Sequence, residues 1–493
     1  MREPPAAASP RECPPPGLLR DAIKTHDGSF GRTVTAERKG QMNIARKRCG
    51  KFLIGLISTG IAVCTSGCAC TAMEDSMNYT DPNNYEGSDI ERINAAVKDS
   101  RKTGGIVRIF KRRPDKKSDR DFWLIDSAIL LPPDTALYLM NCRIKLSDES
   151  RDNWIRSANC VMGDPVVRKV SGIHIIGEGT AVLEGADHPR STGDSGKTIG
   201  GLTYGTDAGK KDCNQKGDWR NIGILFARVS DFSIRNVSLV NSHAWAVSLE
   251  SCENGVVRDL HFDSAEKVAI DGKQLKILNR DGLDLRKGCR NISIENITGN
   301  VGDDLVALTA TSKRVRRSGQ LSSTEFYGGS AEPGSMDIFN ISIRNVRGHT
   351  AGGHHIIRLL NNSGIKLRNI QISNVTDTSP AGIKAYAAIK IGDQNYGGSS
   401  PLGDTSNIQI STVLSKARNA ILLGGSLKDS MISDVIVCDP ENEGIVLQVG
   451  TVKTEGLFLN NIRTVGTRGT TVDTVSKTFS VKQNASGRGK ERH

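Results

Sequence analysis

Three aspartates offer this chain's clearest chemistry. Asp281 stands in Asn279-Arg280-Asp281-Gly282, and Asp303 and Asp304 stand side by side in Gly302-Asp303-Asp304-Leu305, beginning 22 residues later. Carboxyls gathered on one surface cannot all ionise easily. One is held protonated and can donate to a leaving oxygen, while the others stay ionised and pull a proton from water. That division suits acid/base chemistry on a sugar. Neighbouring residues of a strand point to opposite faces, so Asp303 and Asp304 share a cleft only where the backbone bends, and Gly302 permits a bend. A solvated Asp-Asp turn is the bland alternative; Asp281, one repeat away, argues against it.

A short pattern of apolar, polar, Asn or Asp, apolar must position these groups. It appears as Ile234-Arg235-Asn236-Val237, Val257-Arg258-Asp259-Leu260 and Ile294-Glu295-Asn296-Ile297. It returns as Ile343-Arg344-Asn345-Val346, Leu367-Arg368-Asn369-Ile370, Ile432-Ser433-Asp434-Val435 and Leu459-Asn460-Asn461-Ile462, with a weaker copy at Ile410-Ser411-Thr412-Val413. Several steps are near 23 residues, and the longer ones imply insertions in turns. Short Val/Ile-rich strands at this period predict a parallel β-helix, in which each rung buries its inward residues against the rungs above and below. The 22-residue spacing then places Asp281 and Asp303 on neighbouring rungs, roughly 4.8 Å apart. The Asn positions are expected at bends, where Asn tolerates left-handed geometry. Ser88-Asp89-Ile90-Glu91 is a capping box. It opens a helix that ends at Gly104-Gly105 and plugs the open end of the stack.

Composition agrees. Aromatics make up 4% of 493 residues, and there are 52 Gly, as many short strands and tight turns require. The net charge of +12 sits mostly at the ends, with +6 in residues 1–51 and +4 in 474–493, so no nucleic-acid partner is expected. Residues 1–41 read as a disordered or misassigned upstream extension. Residues 42–72 read as a signal peptide with an apolar run from Phe52 to Val63, too short to span a bilayer. Thr65-Ser66-Gly67-Cys68 resembles a lipoprotein box, with Cys68 lipidated and the protein anchored to a membrane surface; cleavage after Ala72 is the alternative. Either route exports the protein, to the periplasm, the outer membrane or the exterior. The catalytic β-helix is expected over 73–475 and a basic flexible tail over 476–493. Cys70, Cys142, Cys160, Cys213, Cys252, Cys289 and Cys438 have no metal-ligand spacing, and buried free thiols are favoured over disulfides.

Four motifs in order carry a family likeness: Gly217-Asp218-Trp219-Arg220-Asn221-Ile222, Asn241-Ser242-His243-Ala244-Trp245, Asn279-Arg280-Asp281-Gly282 and Gly302-Asp303-Asp304. From about residue 85 to about 465 the chain resembles the polygalacturonases of glycoside hydrolase family 28. The resemblance implies a right-handed parallel β-helix that hydrolyses acidic pectin chains with inversion. A monomer that needs no metal or organic cofactor is expected. It implies Asp303 as general acid and Asp281 with Asp304 as the pair that activates water. Inversion asks for about 6.5–9.5 Å between acid and base. Gly353-His354-His355 matches the family's Gly-His-Gly, with His354 bonding the catalytic carboxylates and His355 in place of the second Gly, where closer approach of the backbone is lost. Ala388-Ile389-Lys390 matches Arg-Ile-Lys: Lys390 is kept to grip a substrate carboxylate and the Arg fork is lost. Arg358, on the His354 rung, is the candidate replacement. Asn279 is expected to shape the turn beneath Asp281 at the substrate, and Arg280, where the family has Thr, to intrude on the cleft.

The basic loop Lys313-Arg314-Val315-Arg316-Arg317 is expected to wall the groove, and Trp245 to be core. The reading is therefore an exported glycoside hydrolase on a uronate-containing polysaccharide. A Ca²⁺-dependent polysaccharide lyase on the same fold and a non-catalytic glycan-binding solenoid are its rivals.

Overall fold

The computed structural model describes residues 78–482, apart from 151, 162–166, 189–218, 278, 312–333, 352, 363, 395–399, 439–445, 450–451, 466–470 and 474–478. The upstream extension, the leader with Cys68, Cys70, Cys213 and the basic loop 313–317 lie outside the described residues. The chain winds into a right-handed parallel β-helix. Long strands build a 14-stranded sheet and short strands an 11-stranded one, each ordered almost entirely by sequence.

Alternation in the long strands explains the stack. Ile234, Val257, Ile294, Ile343, Ile372, Ile410 and Ile432 lie in register on successive rungs and are all buried in one continuous core. Each such side chain contributes about 1.5–3 kcal/mol relative to exposure, and its partners are the rungs directly above and below.

The long strands turn at two bends, and most of these are marked by Asn or Asp at positive φ. One column holds Asp231, Asn254, Asn291, Asn340, Asn369, Asn407 and Asp429; the other holds Asn236, Asp259, Asn296, Asn345, Asn374, Thr412, Asp434 and Asn461. Side-chain amides bond up the columns: Asn340 donates to Asn291 at 2.9 Å, Asn369 to Asn340 at 3.1 Å, Asn345 to Asn296 at 2.9 Å and Asn374 to Asn345 at 2.7 Å. The expected bend role thus holds at every Asn of the repeat. The register does not hold at one copy: Leu367-Arg368-Asn369-Ile370 belongs to the first column, and the rung after Asn345 bends at Asn374, 29 residues on. Both bends carry the same local signature, which is why Asn369, 24 residues after Asn345, misleads.

The helix Asp89–Asp99 starts on the capping box of Ser88 and Glu91, buries Ile90, Ile93, Ala96 and Val97, and passes through a 3-10 turn to Gly104 at φ 75°. It packs on the first strands, as a cap should. At the other end, Phe479–Lys482 pairs in parallel with Val446–Val449. The sheet therefore runs past residue 475, where a flexible tail was expected; the alternation Phe479-Ser480-Val481 was obscured by its basic surroundings.

One hairpin leaves the stack beside the aspartates. Lys267–Ile270 and Lys273–Lys276 pair antiparallel around Asp271-Gly272, both at positive φ, the turn that hairpin twist favours. His188 holds its tip, 2.8 Å from Asp271 and 2.6 Å from Asp148. Bonding to these two carboxylates raises the imidazole to about 9.

Candidate active site

The short strands Leu283–Arg286, Val306–Ala310, His355–Asn361 and Ala387–Ile391 lie side by side. The turns that lead into them carry the polar residues. Leu283 pairs with Val306, so the rung is 23 residues long and Asp281 stacks on Asp304. The backbone N–H of Asp304 donates to Asp281 Oδ1 at 3.2 Å. Asp303 sits on the Arg280 position instead: Gly302 and Asp303 both donate N–H groups to the Arg280 carbonyl at 3.1 Å, and the Thr350 hydroxyl donates to the Asp303 carbonyl at 2.5 Å. This is the bend that brings two adjacent aspartates to one cleft. A Cβ at Gly302 would lie 2.8 Å from the Glu266 Cα, so glycine is needed there for space. Asn279 takes the left-handed conformation at φ 58°, shaping the turn before Asp281 as expected.

Arg280 departs from expectation. Its side chain is 1% exposed and does not enter the cleft. It donates to the Ser242 carbonyl at 2.7 Å, the Ala265 carbonyl at 2.7 Å and the Asn241 side-chain oxygen at 3.1 Å. Burial lowers its pKa to about 9. Arg280 therefore ties three turns together under the site.

The three carboxyls have different surroundings. Asp281 is pushed well up, first by burial and then by Asp303, Asp284 and Asp304. Asp304 is also buried, which pushes it up. The opposing interactions with His355 and Arg358 win, and its carboxyl is held well below the usual range. Asp303 keeps 21% of its side chain exposed and faces His354, whose Nδ1 lies 2.7 Å from its carboxylate. Burial opposes the charged imidazole of His354, but Asp303, Asp304 and Glu266 together raise it. Glu266 lies 3.9 Å from the far ring nitrogen.

His355 does more than replace a glycine. Its backbone N–H donates to Asp304 Oδ1 at 2.9 Å, and its ring Nδ1 lies 2.7 Å from the same oxygen, so the backbone does approach closely. Burial keeps this imidazole lowered and thus a neutral donor. Arg358 donates to Asp304 Oδ2 at 3.3 Å and to Asp393 at 3.4 Å, and Lys390 donates to Asp393 at 2.7 Å. Arg358 and Lys390 are in register on adjacent strands, whereas Ala388 is buried in the core. Trp245 is core, packed with Cys160, Val167, Ile222, Leu225 and Ala227. The described cysteines are free thiols.

The structure thus brings together Asp281, Asp303, Asp304, His354, Arg358 and Lys390. Sequence reasoning missed Glu266, Asp284, His355 as a ligand of Asp304, and Asp393. Asp284 had a signal: it alternates with core Leu283 and Leu285. Asp303, Asp304 and His354 bring ligating atoms within 4.8 Å of one another. For a cation these atoms are already engaged with one another, and Arg358 adds a positive charge at Asp304.

Residues 177–329 match the model of glycosyl hydrolases family 28. This segment is similar to that family. It contains Asp281, Asp303 and Asp304. The chain is 25% identical over 195 residues to a probable rhamnogalacturonase A of Aspergillus oryzae, covering 34% of this chain and 41% of that protein. It is 23% identical over 332 residues to a probable rhamnogalacturonase B of Aspergillus fumigatus, covering 58% of each. The chain thus spans about half the length of these curated relatives. A polygalacturonase structure from Erwinia carotovora superposes over 81% of this chain and 93% of its own, at 14% identity and a TM-score of 0.47.

Proposed function

We propose that this protein is an exported glycoside hydrolase that cleaves a pectin-like, uronate-containing polysaccharide. The observation that carries the reading is the convergence of Asp281, Asp303 and Asp304 on two adjacent rungs, with His354 bonded to the most exposed of the three. Asp303 and His354 share a proton, and Asp303 delivers it to the glycosidic oxygen as the bond to the anomeric carbon breaks. Asp304, held ionised by Arg358, takes a proton from the attacking water as its oxygen bonds that carbon. Asp281 accepts the Asp304 N–H on one oxygen and offers the other to the water. Arg358 bridges Asp304 and Asp393, and Lys390 also pairs with Asp393; these two cations are the groups that would meet a uronate carboxylate. Export rests on the leader at 42–72, with Cys68 as the anchor if that route is taken.

Replacing Asp303 with Asn in the full chain is expected to cut the release of new reducing ends from pectic polymer by about 10²–10⁴-fold with an unchanged melting temperature; retained turnover overturns the assignment. Inversion is what the family resemblance implies, and proton NMR of the first-formed anomer tests it. Retention of configuration would assign the close Asp303–Asp304 pair a covalent route. An unsaturated, ultraviolet-absorbing product would identify a lyase instead.

A further inference from the structure

The hairpin beside the site brings a charge to the general acid that the reaction above does not use. Its strands Lys267–Ile270 and Lys273–Lys276 lie between the long strand Glu253–Ser264 and the turn of Asp281. Glu266 stands at its foot, where the Ile277 N–H donates to the Glu266 carbonyl at 2.9 Å. Two neighbours fix this foot against the site. The Arg280 guanidinium donates to the Ala265 carbonyl at 2.7 Å, and the Glu266 Cα packs on Gly302, where a Cβ would come within 2.8 Å of it. The tip is held as well, since His188 bridges Asp271 to Asp148. The hairpin is thus tied at both ends, with Glu266 beside the bend that bears Asp303.

Glu266 Oε1 meets two nitrogens. Lys276, on the returning strand, pairs with it, and His354 Nε2 lies 3.9 Å away. The other ring nitrogen of His354 lies 2.7 Å from Asp303. One imidazole is therefore set between two carboxylates, one at each nitrogen. A distance of 3.9 Å is beyond direct hydrogen bonding but well within reach of charge attraction at a partly buried site. Glu266 keeps 15% of its side chain exposed and His354 22%, whereas Lys276 is 48% exposed and is screened by solvent. Lys276 therefore does not cancel the charge that Glu266 presents to the ring. Burial opposes the cationic ring, and Asp303 and Asp304 favour it together with Glu266. His355 and Arg358, which follow on the same strand, are turned to Asp304.

We propose that Glu266 is a positioning residue for the general acid. Its carboxylate holds one proton of His354 on Nε2, which leaves the other between Nδ1 and Asp303. This second proton is the one that Asp303 passes to the glycosidic oxygen as the bond to the anomeric carbon breaks, the bonding electrons staying on that oxygen. His354 is then neutral, with its Nε2–H still facing Glu266. The negative charge of Glu266 thereby keeps the Asp303–His354 pair loaded to a higher pH than the pair alone would allow. This rests on the hydrolase reading above.

The test follows His354 and activity separately. The full chain is prepared with isotope-labelled histidine, and the ring signals of His354, identified by their loss in His354→Gln, are followed by NMR against pH. Glu266→Gln is expected to lower the His354 midpoint by about half a pH unit or more. The alkaline limb of kcat/KM on pectic polymer is expected to move down with it. Lys276→Gln strips Glu266 of its counter-ion and is expected to move both the other way. A carboxylate that only closes the hairpin would give the two variants the same loss of melting temperature and unmoved midpoints. That result overturns the inference and leaves the hydrolase reading standing, as does a midpoint that moves without the alkaline limb. Lys276→Gln decides alone where Glu266→Gln fails to fold. If the unsubstituted chain releases no new reducing ends, the hydrolase reading itself falls, and the role of Glu266 with it.

Discussion

Burial, His355 and Arg358 set apart aspartates that look alike in sequence. Asp304 is held ionised against its burial, whereas Asp281 is pushed up by burial and by its carboxyl neighbours. The sign of the consequence follows. A carboxyl whose folded pKa lies above its unfolded value of about 3.9 contributes stability that is complete below that pH and is lost as pH rises through the folded value. Asp281→Asn is therefore expected to melt higher than the unsubstituted chain at neutral pH, with the difference vanishing towards pH 3, while activity falls. Thermal melts across pH check this; a lower melting temperature at neutral pH would contradict it. At this scale much of the site was legible: Asp281, Asp303 and Asp304 through type and spacing, His354 and Lys390 through the family resemblance, and Arg358 through its place on the His354 rung. Arg280 was misread because a charged residue inside a cleft motif reads as exposed, and only the folded turns reveal its three acceptors. Glu266 and Asp393 gave no signal, since each reaches the site through a turn whose length has no readable code.

The elements owe their geometry to the bends. Thr412 occupies the second Asn column at φ 57°, a conformation that costs a residue with a Cβ about 1–2 kcal/mol and that suits a β-branched side chain worst. It also interrupts the amide column between Asn374 and Asp434. Thr412→Asn is expected to stabilise the protein by about 1 kcal/mol, read as a rise in denaturant midpoint at constant slope; no change would mean that the local backbone relaxes around threonine. The fold class, the capping helix and the role of the Asn residues followed from period and residue type. The register of Asn369 did not, because two bends with one signature alternate along every long strand. The final strand at 479–482 escaped notice because its alternation is short and its neighbourhood basic.

The described β-helix is a one-dimensional stack whose first rungs depend on their cap. Ser88→Ala removes the N-cap of the Asp89–Asp99 helix and is expected to cost about 1 kcal/mol. Because each rung rests only on its neighbours, the loss is expected as faster amide hydrogen exchange in strands 106–110 and 135–146, with protection retained over 281–391. Uniform loss across the chain would show instead that the stack unfolds as one unit. The direction of the backbone hydrogen bonds carries a mechanical consequence. They run along the stack axis, as do the two amide columns. A pull between the first and last rungs therefore loads a single layer of bonds at a time, and the protein should peel open rung by rung at low force. A pull across the axis loads a whole strand in shear and meets the covalent chain. The β-helix is thus stiff across its axis and yields along it.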